Sequence, residues 1–389
     1  MYFRILNISS VILAMLASAT AQCANSGHSQ PQSFNDPQYS REIQLARQAA
    51  LAIYDHGLLG NSGSAINNKV GRPPGFSVAV AVNGKLAWAE GFGFADLEQC
   101  VPVTPKTKFR IGSTSKPLTA AGAALLYEQG RLDWDAPIQK YVPSFPDKGY
   151  ILTTRELLGH LGGIRDYNAT ESAALDRNAY HSVTESLKRF KDDPMFAPPG
   201  TKWHYTTYGY VLASAAMEGA SGQDFLSFMH DKVFAPLDMQ DTVADESDKI
   251  IPNRAHWYVQ QADGSYRNVP YEDLSYKWAG GGFLSTAENL VIFGSAMLQP
   301  GFLKQDTLAQ IFARQKTTSG VETKYGLGWV IPDVTEERRF EHSGGVSGSS
   351  SLLVIYPDQH VVIAWLQNSN DFRDWPILNV AEPFFTMRK

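Results

Sequence analysis

A serine and a lysine three positions apart, Ser113 and Lys116, have types and spacing that could support catalysis. Residues three apart share one face of a helix, so the lysine amine can reach the serine hydroxyl. A serine hydroxyl is a weak nucleophile near neutral pH and needs a base beside it. A lysine can be that base when burial lowers its pKa. The pair predicts a nucleophile at the start of a helix; a helix N-cap followed by a solvated lysine is the alternative.

Two further segments carry groups that such a nucleophile could use. Tyr205 follows a turn at Pro199–Gly200, and nearby cations could stabilise its phenolate as a general base. An ordinary half-buried tyrosine is the alternative. The run from His342 to Gly345 ends a predicted strand, and its glycines would let a ligand approach the backbone. The amides of Gly345 and Ser113 could then form an oxyanion hole, with a flexible glycine turn as the alternative.

Strand patterns lie at both ends of the chain. Phe76–Val82 and Lys85–Gly91 are apolar runs joined by Asn83-Gly84, which predicts a β-hairpin. The C-terminal part contains four predicted strands: Gly326–Ile331, Arg339–Ser343, Ser350–Tyr356 and His360–Gln367. Since short hairpins need a shared core, one antiparallel sheet built from both ends is the simplest arrangement.

Helical patterns fill the rest of the chain. Tyr39–His56 has helical spacing, and so does the segment after Ser113, which ends at Gly130 and carries Gly122 on its apolar stripe. A closing helix is predicted over Trp375–Met387. We therefore predict an α+β fold of the α/β sandwich type, in which helices flank the antiparallel sheet. A mostly helical lobe over residues 134–320 packs on one side, and the active site lies between lobe and sheet.

Composition and the N-terminus limit the cellular setting. The net charge is −5 and no run of five basic residues occurs, so nucleic acid is not an expected partner. Residues 1–21 resemble a signal peptide, with Arg4 before an apolar stretch that ends in small residues. This predicts export to the periplasm or the medium, with an uncleaved membrane anchor as the alternative. A disordered tail is predicted over 22–37 and one hydrolase domain over 38–389.

Later segments contain no apolar run of about 18 residues, so no stable membrane insertion is expected after signal cleavage. Lipidation of Cys23 and a Cys23–Cys100 bridge both stay open. No zinc motif and no glycine-rich nucleotide loop occurs, so neither a metal nor another cofactor is expected.

The order of these motifs resembles that of the penicillin-recognising serine hydrolases. Phe109–Lys116 is similar to the nucleophile segment of class C β-lactamases, and Gly91–Asp96 and Leu157–Ile164 are also typical of that family. Tyr276–Thr286 and Leu132–Pro146 resemble a serine β-lactamase-like branch found in animal mitochondria and in bacteria. The resemblance extends from about Pro74 to Gln367.

The resemblance implies roles for individual residues. Ser113 would be acylated, Lys116 and Tyr205 would share the proton transfers, and Ser113 and Gly345 would donate the oxyanion N–H groups. His342 stands where class C enzymes carry a lysine.

The second motif departs from the family pattern. The family has Tyr-x-Asn there, whereas Thr207 occupies the Asn position in this chain. Together with His342, this change puts efficient β-lactam hydrolysis in doubt. Substrate contacts are expected at Thr207, Ser343 and Gly344.

The leading prediction is a serine hydrolase that cleaves amide or ester bonds through an acyl-enzyme, acting as a peptidase. The expected partner is a small peptide, ester or β-lactam-like substrate. A β-lactamase or D,D-carboxypeptidase, an esterase, and a non-catalytic binding or assembly protein of the same fold are the alternatives. The presence of Ser113, Lys116 and Tyr205 together favours an enzyme.

Overall fold

The computed structural model describes residues 33–56, 73–173, 175–261, 264–334, 337–370 and 375–387. The predicted signal peptide and most of the predicted tail lie outside these residues. The structure departs from the predicted disorder at the end of that tail. Ser33–Asn35 pairs with strand residues 88–90, and Asp36 caps the 3₁₀ turn Pro37–Tyr39.

The strands come from both ends of the chain and from short segments between them. In chain order they are β1 Ser33–Asn35, β2 Gly75–Val82, β3 Lys85–Asp96, β4 Val101–Pro102, β5 Phe109–Arg110, β6 Val243–Ala244, β7 Tyr258–Gln260, β8 Tyr266–Asn268, β9 Phe283–Ser285, β10 Phe340–Val346, β11 Ser349–Tyr356 and β12 Val361–Gln367.

The main sheet is antiparallel and has the order β1-β3-β2-β12-β11-β10, with β4 beside β3. The predicted sheet from both chain ends is therefore confirmed. Asn83 and Gly84 have φ values of 52° and 78°, and a tight hairpin between β2 and β3 needs these positive angles. β10 is an edge strand whose outer side is bonded to Val330 at Glu341, and the part of the strand beyond this residue can border a site. Two smaller sheets have the orders β5-β9-β6 and β7-β8.

The helices lie mostly between the two groups of strands. They are α1 Ser40–His56, α2 Ser115–Glu128, α3 Thr154–Leu158, α4 Ala169–Ala173, α5 Val183–Ser186, α6 Thr207–Ser221, α7 Phe225–Met229, α8 Trp278–Gly281, α9 Ala287–Ala296, α10 Gln305–Ile311 and α11 Trp375–Ala381. Short 3₁₀ or π turns cover Pro37–Tyr39, Gly112–Thr114, Ile138–Lys140, Leu187–Arg189, His230–Phe234, Ser275–Lys277 and Glu382–Met387.

Both faces of the main sheet are apolar and covered, because successive side chains of a strand point to opposite sides. On one face Val78, Val80 and Trp365 pack in a cluster with residues of α1 and α11. On the other face Ala79 and Leu353 join the larger core that includes α9 and the helical lobe. Polar chemistry is thereby confined to the edge of the sheet.

Helix α2 lies at the centre of the lobe and contacts both α6 and α8. A methyl group at Gly122 would lie 2.7 Å from the Met229 sulfur and 2.8 Å from the Met217 methyl carbon. The glycine therefore lets neighbouring helices pack closely, as the sequence pattern indicated. This burial surrounds the first turn of α2, where Ser113 and Lys116 lie.

Two predicted elements differ in the structure. Gly326–Ile331 is not a strand: Gly328 has φ +84°, and the Gly326 amide donates to the Trp329 carbonyl across a tight turn. The closing helix α11 ends at Ala381 and continues as a 3₁₀ turn over Glu382–Met387. Pro383 lacks an N–H group and cannot extend the α-helical bonding there.

Within the described part of the chain, no helix is long and apolar enough to cross a bilayer. Cys100 is disulfide-bonded. Cys23, the only other cysteine of the sequence, lies outside the described residues.

Candidate active site

Ser113 lies in a 3₁₀ turn between strand β5 and helix α2. Thr114, rather than Ser113, is the N-cap of α2, so the N-cap alternative for this serine is wrong. Gly112 has φ +47°, and a methyl group there would lie 2.9 Å from the Gly345 amide nitrogen. The glycine is required because the turn presses directly against strand β10.

Hydroxyl groups hold this turn to the main sheet. The Thr114 hydroxyl lies 3.2 Å from the His342 carbonyl oxygen and 2.8 Å from the Ser351 hydroxyl. The Ser351 hydroxyl in turn donates to the Ile111 carbonyl at 2.6 Å. Ser113 is therefore held on both sides by buried bonds to β10 and β11.

Lys116 is fully buried and its amine contacts the nucleophile. Its Nζ lies 3.0 Å from Ser113 Oγ and donates to the Gly280 carbonyl at 2.8 Å. Burial lowers the pKa of Lys116 to about 7; Asp166 opposes this shift and the positive charge of Lys277 adds to it. The alternative of a solvated lysine is wrong. A neutral amine is available near neutral pH and can accept the serine proton.

Tyr205 lies across Lys116, with its ring centroid 4.7 Å from Nζ. Burial raises the pKa of Tyr205 above its usual value, although a hydrogen bond with Ser113 opposes the shift. The phenol therefore keeps its proton near neutral pH. The phenolate base suggested by the sequence is not supported, because burial favours the neutral phenol more than its surroundings favour the anion. As a phenol, Tyr205 can donate a proton or a hydrogen bond.

His342 is buried, and both of its ring nitrogens have protein partners. Nδ1 lies 2.6 Å from the Ser343 carbonyl, to which it must donate, so Nε2 accepts from the Tyr325 hydroxyl at 2.8 Å. Burial and the neighbouring Lys116 lower the pKa of His342 to about 3. The expected polar or cationic group at the strand edge is therefore a neutral imidazole with a fixed tautomer.

The other predicted residues of β10 differ in their exposure. Gly344 faces the interior, where a methyl group would lie 1.9 Å from the Ile111 carbonyl. Protein backbone therefore fills the side-chain position of this glycine, and a substrate contact through its main chain stays a prediction. Gly345 is exposed, with no atom within 4 Å of the position of a Cβ. The side-chain position of Gly345 is therefore empty, whereas Ser343 is half-buried beside it.

Thr207 is the first residue of α6 and is nearly buried. Its amide donates to a carboxylate oxygen of Asp166 at 2.9 Å. A methyl group at Gly280 would lie 2.6 Å from the Thr207 methyl carbon. Thr207 therefore packs against the same turn that binds the Lys116 amine.

Several residues around this site were missed by the sequence analysis. His160 is buried with φ +61°, and its ring lies 4.2 Å from that of Tyr205 and 4.6 Å from that of Tyr325. Burial holds the pKa of His160 well below its usual value. The Leu157–Ile164 motif contains this histidine and could have flagged it, whereas nothing in the local sequence around Tyr325 marks that residue.

Charged residues border the site on the Thr207 side. Asp166 is half-buried, and Lys277 lies 3.3 Å from the Glu272 carboxylate. Lys277 lies in the Tyr276–Thr286 motif, but no local motif pointed to Asp166 or Glu272. In the described part of the chain, no three His, Cys, Asp or Glu side chains are placed to hold a metal ion.

The sequence matches known proteins along most of its length. The Beta-lactamase family matches residues 65–382. The human protein "Serine beta-lactamase-like protein LACTB, mitochondrial" is 34% identical, and the match covers 76% of this chain and 70% of that protein. Penicillin-binding protein 4* of Bacillus subtilis (strain 168) is 27% identical, over 79% of this chain and 71% of that protein.

Solved structures share the fold. EstCE1, described as a hydrolase with promiscuous acyltransferase activity, superposes with a TM-score of 0.73 at 19% identity, covering 90% of this chain and 100% of that one. A D-amino acid amidase from Ochrobactrum anthropi SV3, complexed with D-phenylalanine, gives a TM-score of 0.72 at 23% identity with the same coverage. These two identities show the fold alone. The family match and the human relative show more: the chain belongs to the β-lactamase family of serine hydrolases.

Proposed function

We propose that this protein hydrolyses amide or ester bonds through an acyl-enzyme on Ser113 and acts mainly as a peptidase. The proposal rests chiefly on the Lys116 amine, which is shielded from solvent, has a pKa of about 7 and lies 3.0 Å from Ser113 Oγ. Burying a lysine is costly unless its neutral form is used. A base at this distance activates the hydroxyl for attack on a carbonyl carbon.

The proposed acylation balances within these groups. Ser113 Oγ bonds to the carbonyl carbon while Lys116 Nζ takes the hydroxyl proton. The amides of Ser113 and Gly345 donate to the oxygen that becomes negative. When the bond to the leaving group breaks, Lys116 returns the proton to that group, either directly or through the Tyr205 hydroxyl, which gives up its own proton and takes the one from Lys116. A water molecule then attacks the acyl carbon, gives its proton to Lys116, and Ser113 is released with its proton restored.

Amide substrates are favoured over esters by the two proton donors. An amine leaving group must receive a proton as the bond breaks, whereas many alkoxides or phenoxides leave without full proton transfer. Tyr205 keeps its proton near neutral pH because burial raises its pKa, so it is available for this step. The site therefore has the proton donors that amide cleavage requires, whereas ester cleavage can proceed without them.

The geometry disfavours substrates that are recognised through a carboxylate beside β10. His342 has a pKa of about 3 and both of its nitrogens are occupied, so it presents no positive charge to an anion. Penicillins and cephalosporins carry such a carboxylate. We expect them to be turned over poorly.

Labelling of the nucleophile tests the chemistry directly. A fluorophosphonate probe followed by peptide mass spectrometry should modify Ser113 in the wild type, and Ser113→Ala should lose both labelling and turnover, by about 10³-fold or more. Ser115→Ala is the matched control, because the Ser115 hydroxyl is buried without a hydrogen-bond partner in the described structure. Labelling elsewhere, or more than a few per cent of activity in Ser113→Ala, would refute the acyl-enzyme.

A substrate panel then separates the alternatives. Aminoacyl p-nitroanilides, p-nitrophenyl esters and nitrocefin should be compared by kcat/KM in the wild type and in Thr207→Asn with His342→Lys. The wild type should cleave anilides and esters, and the double variant should gain on nitrocefin relative to the ester. Efficient nitrocefin hydrolysis by the wild type, at about 10⁶ M⁻¹s⁻¹, would contradict the peptidase assignment.

We also propose export, on the basis of residues 1–21. N-terminal sequencing of the protein isolated from cell fractions tests this. A mature N-terminus near residue 22 outside the cytosol would support export, and an intact Met1 in the cytosol would refute it.

A further inference from the structure

Asp166 is a half-buried carboxylate beside the catalytic groups. One of its oxygens accepts the Thr207 amide at 2.9 Å. Its negative charge raises the pKa of both Lys116 and Tyr205, so it lies close enough to act on both groups. Asp166 lies within the loop that connects α3 with α4. This loop is held against the start of α6, because the Thr206 hydroxyl donates to the Arg165 carbonyl at 2.7 Å.

The charge of Asp166 has no cationic partner in the described structure. Lys277, the other cation that acts on Lys116, lies 3.3 Å from Glu272. Arg165 pairs with Glu171 at 2.7 Å and with Asp193 at 2.6 Å. Its hydrogen bond to Asp166 goes to the main-chain oxygen and not to the carboxylate. No ion pair within 4.0 Å is found for Asp166 itself among the described residues.

The imbalance exists in the state that binds the substrate. Lys116 must be neutral when it accepts the serine proton, and it then gives Asp166 no positive charge. The N-terminus of α6 offers a partial charge through the Thr207 amide, which compensates a full negative charge only in part. A substrate that brings its own cation would supply the missing charge, because a partly buried carboxylate interacts strongly with an ammonium group.

We propose that Asp166 binds the ammonium group of the substrate, so that the enzyme prefers peptides or amino-acid derivatives with a free amine close to the scissile carbonyl. This inference rests on the proposed function and names the substrate class for the same site. The ring of Tyr167, next in the chain, is packed edge-to-face at 4.9 Å against Tyr208 and provides a rigid aromatic neighbour. Glu272 neutralises Lys277, which would otherwise repel a cationic substrate.

The test compares two substrates that differ only in the charge of the amine. Alanine p-nitroanilide and N-acetylalanine p-nitroanilide, each in both enantiomers, are assayed near pH 7, where the free α-amine, of pKa about 8, is mostly protonated. The wild type should favour the free amine by about tenfold or more in kcat/KM. Asp166→Asn keeps an oxygen for the Thr207 amide and should lose about 10- to 100-fold on the free amine, but less than about threefold on the acetylated compound.

Asp135→Asn is the matched control, because Asp135 is exposed and pairs with Arg155 on the surface. It should leave both substrates unchanged. Equal losses on the two substrates in Asp166→Asn would show that Asp166 acts through Lys116, and a wild-type preference for the acetylated compound would also overturn the proposal.

A binding experiment distinguishes failure of the ammonium site from failure of the proposed function. Phenylalaninamide should protect Ser113 from the fluorophosphonate probe better than N-acetylphenylalaninamide does, and Asp166→Asn should remove the difference. Labelling of Ser113 with equal protection by the two compounds would refute the ammonium site alone. Failure of Ser113 to label at all, with no Ser113-dependent turnover of either anilide, would refute the proposed function and the inference with it.

Discussion

Two regions of the site treat charge in opposite ways. In the region of Ser113, Lys116 and His342, which we term the catalytic corner, the basic side chains are buried and their pKa values fall to about 7 and about 3. The region of Asp166, Glu272 and Lys277, which we term the charged side, contains a half-buried carboxylate and an ion pair of 3.3 Å between the other two side chains. Burial thus favours the neutral form of the basic groups in the catalytic corner, whereas on the charged side Glu272 is buried but paired with Lys277, and Asp166 remains half-buried.

The two regions differ equally in how they are held. The catalytic corner is fixed by hydroxyl and backbone bonds between the turn at Gly112–Thr114 and strands β10 and β11. The three residues of the charged side come from the loop between α3 and α4 and from the segment 272–277, which ends in a 3₁₀ turn. A rigid, dry corner and a more exposed charged side are expected to respond differently to substitution.

Removing the proton-transfer groups of the catalytic corner should have the largest effect. Lys116→Met and Tyr205→Phe each preserve much of the buried volume and should lower the acylation rate by about 10²- to 10⁴-fold. Because the two side chains act on the same proton, the double variant should lose far less than the product of the single losses. Stopped-flow burst kinetics with a p-nitrophenyl ester measure acylation. Multiplicative losses would mean that the two residues act independently.

The pH dependence of the wild-type rate should report on the same catalytic corner. Desolvation lowers the pKa of Lys116 to about 7, so its neutral form predominates above that pH. The rate constant kcat/KM on an uncharged ester should rise to a plateau above about pH 7 and be about 100-fold lower at pH 5, since one proton is involved. His342, with a pKa of about 3, should not contribute within this range.

Asp166→Asn connects the two regions in this measurement. The Asp166 charge raises the pKa of Lys116, so its removal should move the midpoint of the profile to lower pH. An unchanged midpoint, or a shift to higher pH, would mean that the charged side does not act on the corner.

Tyr325→Phe should have the smallest effect on rate and a clear effect on stability. It leaves the buried His342 Nε2 without its donor, which costs about 1–3 kcal/mol in the free energy of unfolding. Because Tyr325 positions His342, kcat should fall by less than about tenfold while KM and the pH midpoint stay unchanged. Urea unfolding and steady-state kinetics test this.

Tyr271→Phe provides the surface control for Tyr325→Phe. Its hydroxyl contacts Ser247 at 2.8 Å at an exposed position, so its loss should leave stability within about 0.5 kcal/mol. A Tyr325→Phe protein as stable as this control would contradict the proposed fixed tautomer of His342.

The elements whose positions followed from local pattern were predicted well. The β2–β3 hairpin, the long helix after Ser113 and the joint sheet from both chain ends are confirmed. The strand predicted at Gly326–Ile331 is wrong because its glycines form a turn, which a count of apolar residues does not detect. The apolar side chain of Trp329 is buried in the core, although the residue does not belong to a strand.

Which residues form the site was easier to predict from the sequence than their charges and their roles. The sequence suggested a phenolate at Tyr205, whereas burial keeps the phenol protonated. It suggested that the glycines after His342 leave room for a ligand, whereas at Gly344 the Ile111 carbonyl fills the side-chain position. His160, Tyr325 and Asp166 come from loops whose approach to Ser113 depends on how the lobe folds.

Spacing along the chain determined that Ser113 and Lys116 share a helix face, because three residues make nearly one turn. Composition and motif order determined the fold class and the family. Only the tertiary structure decided which groups are charged, because a pKa depends on the water and the charges around a side chain, and those come from distant segments. Lys116 is a usable base because α6, α8 and β10 remove its solvent, and Asp166 stands beside it because the α3–α4 loop folds back onto α6.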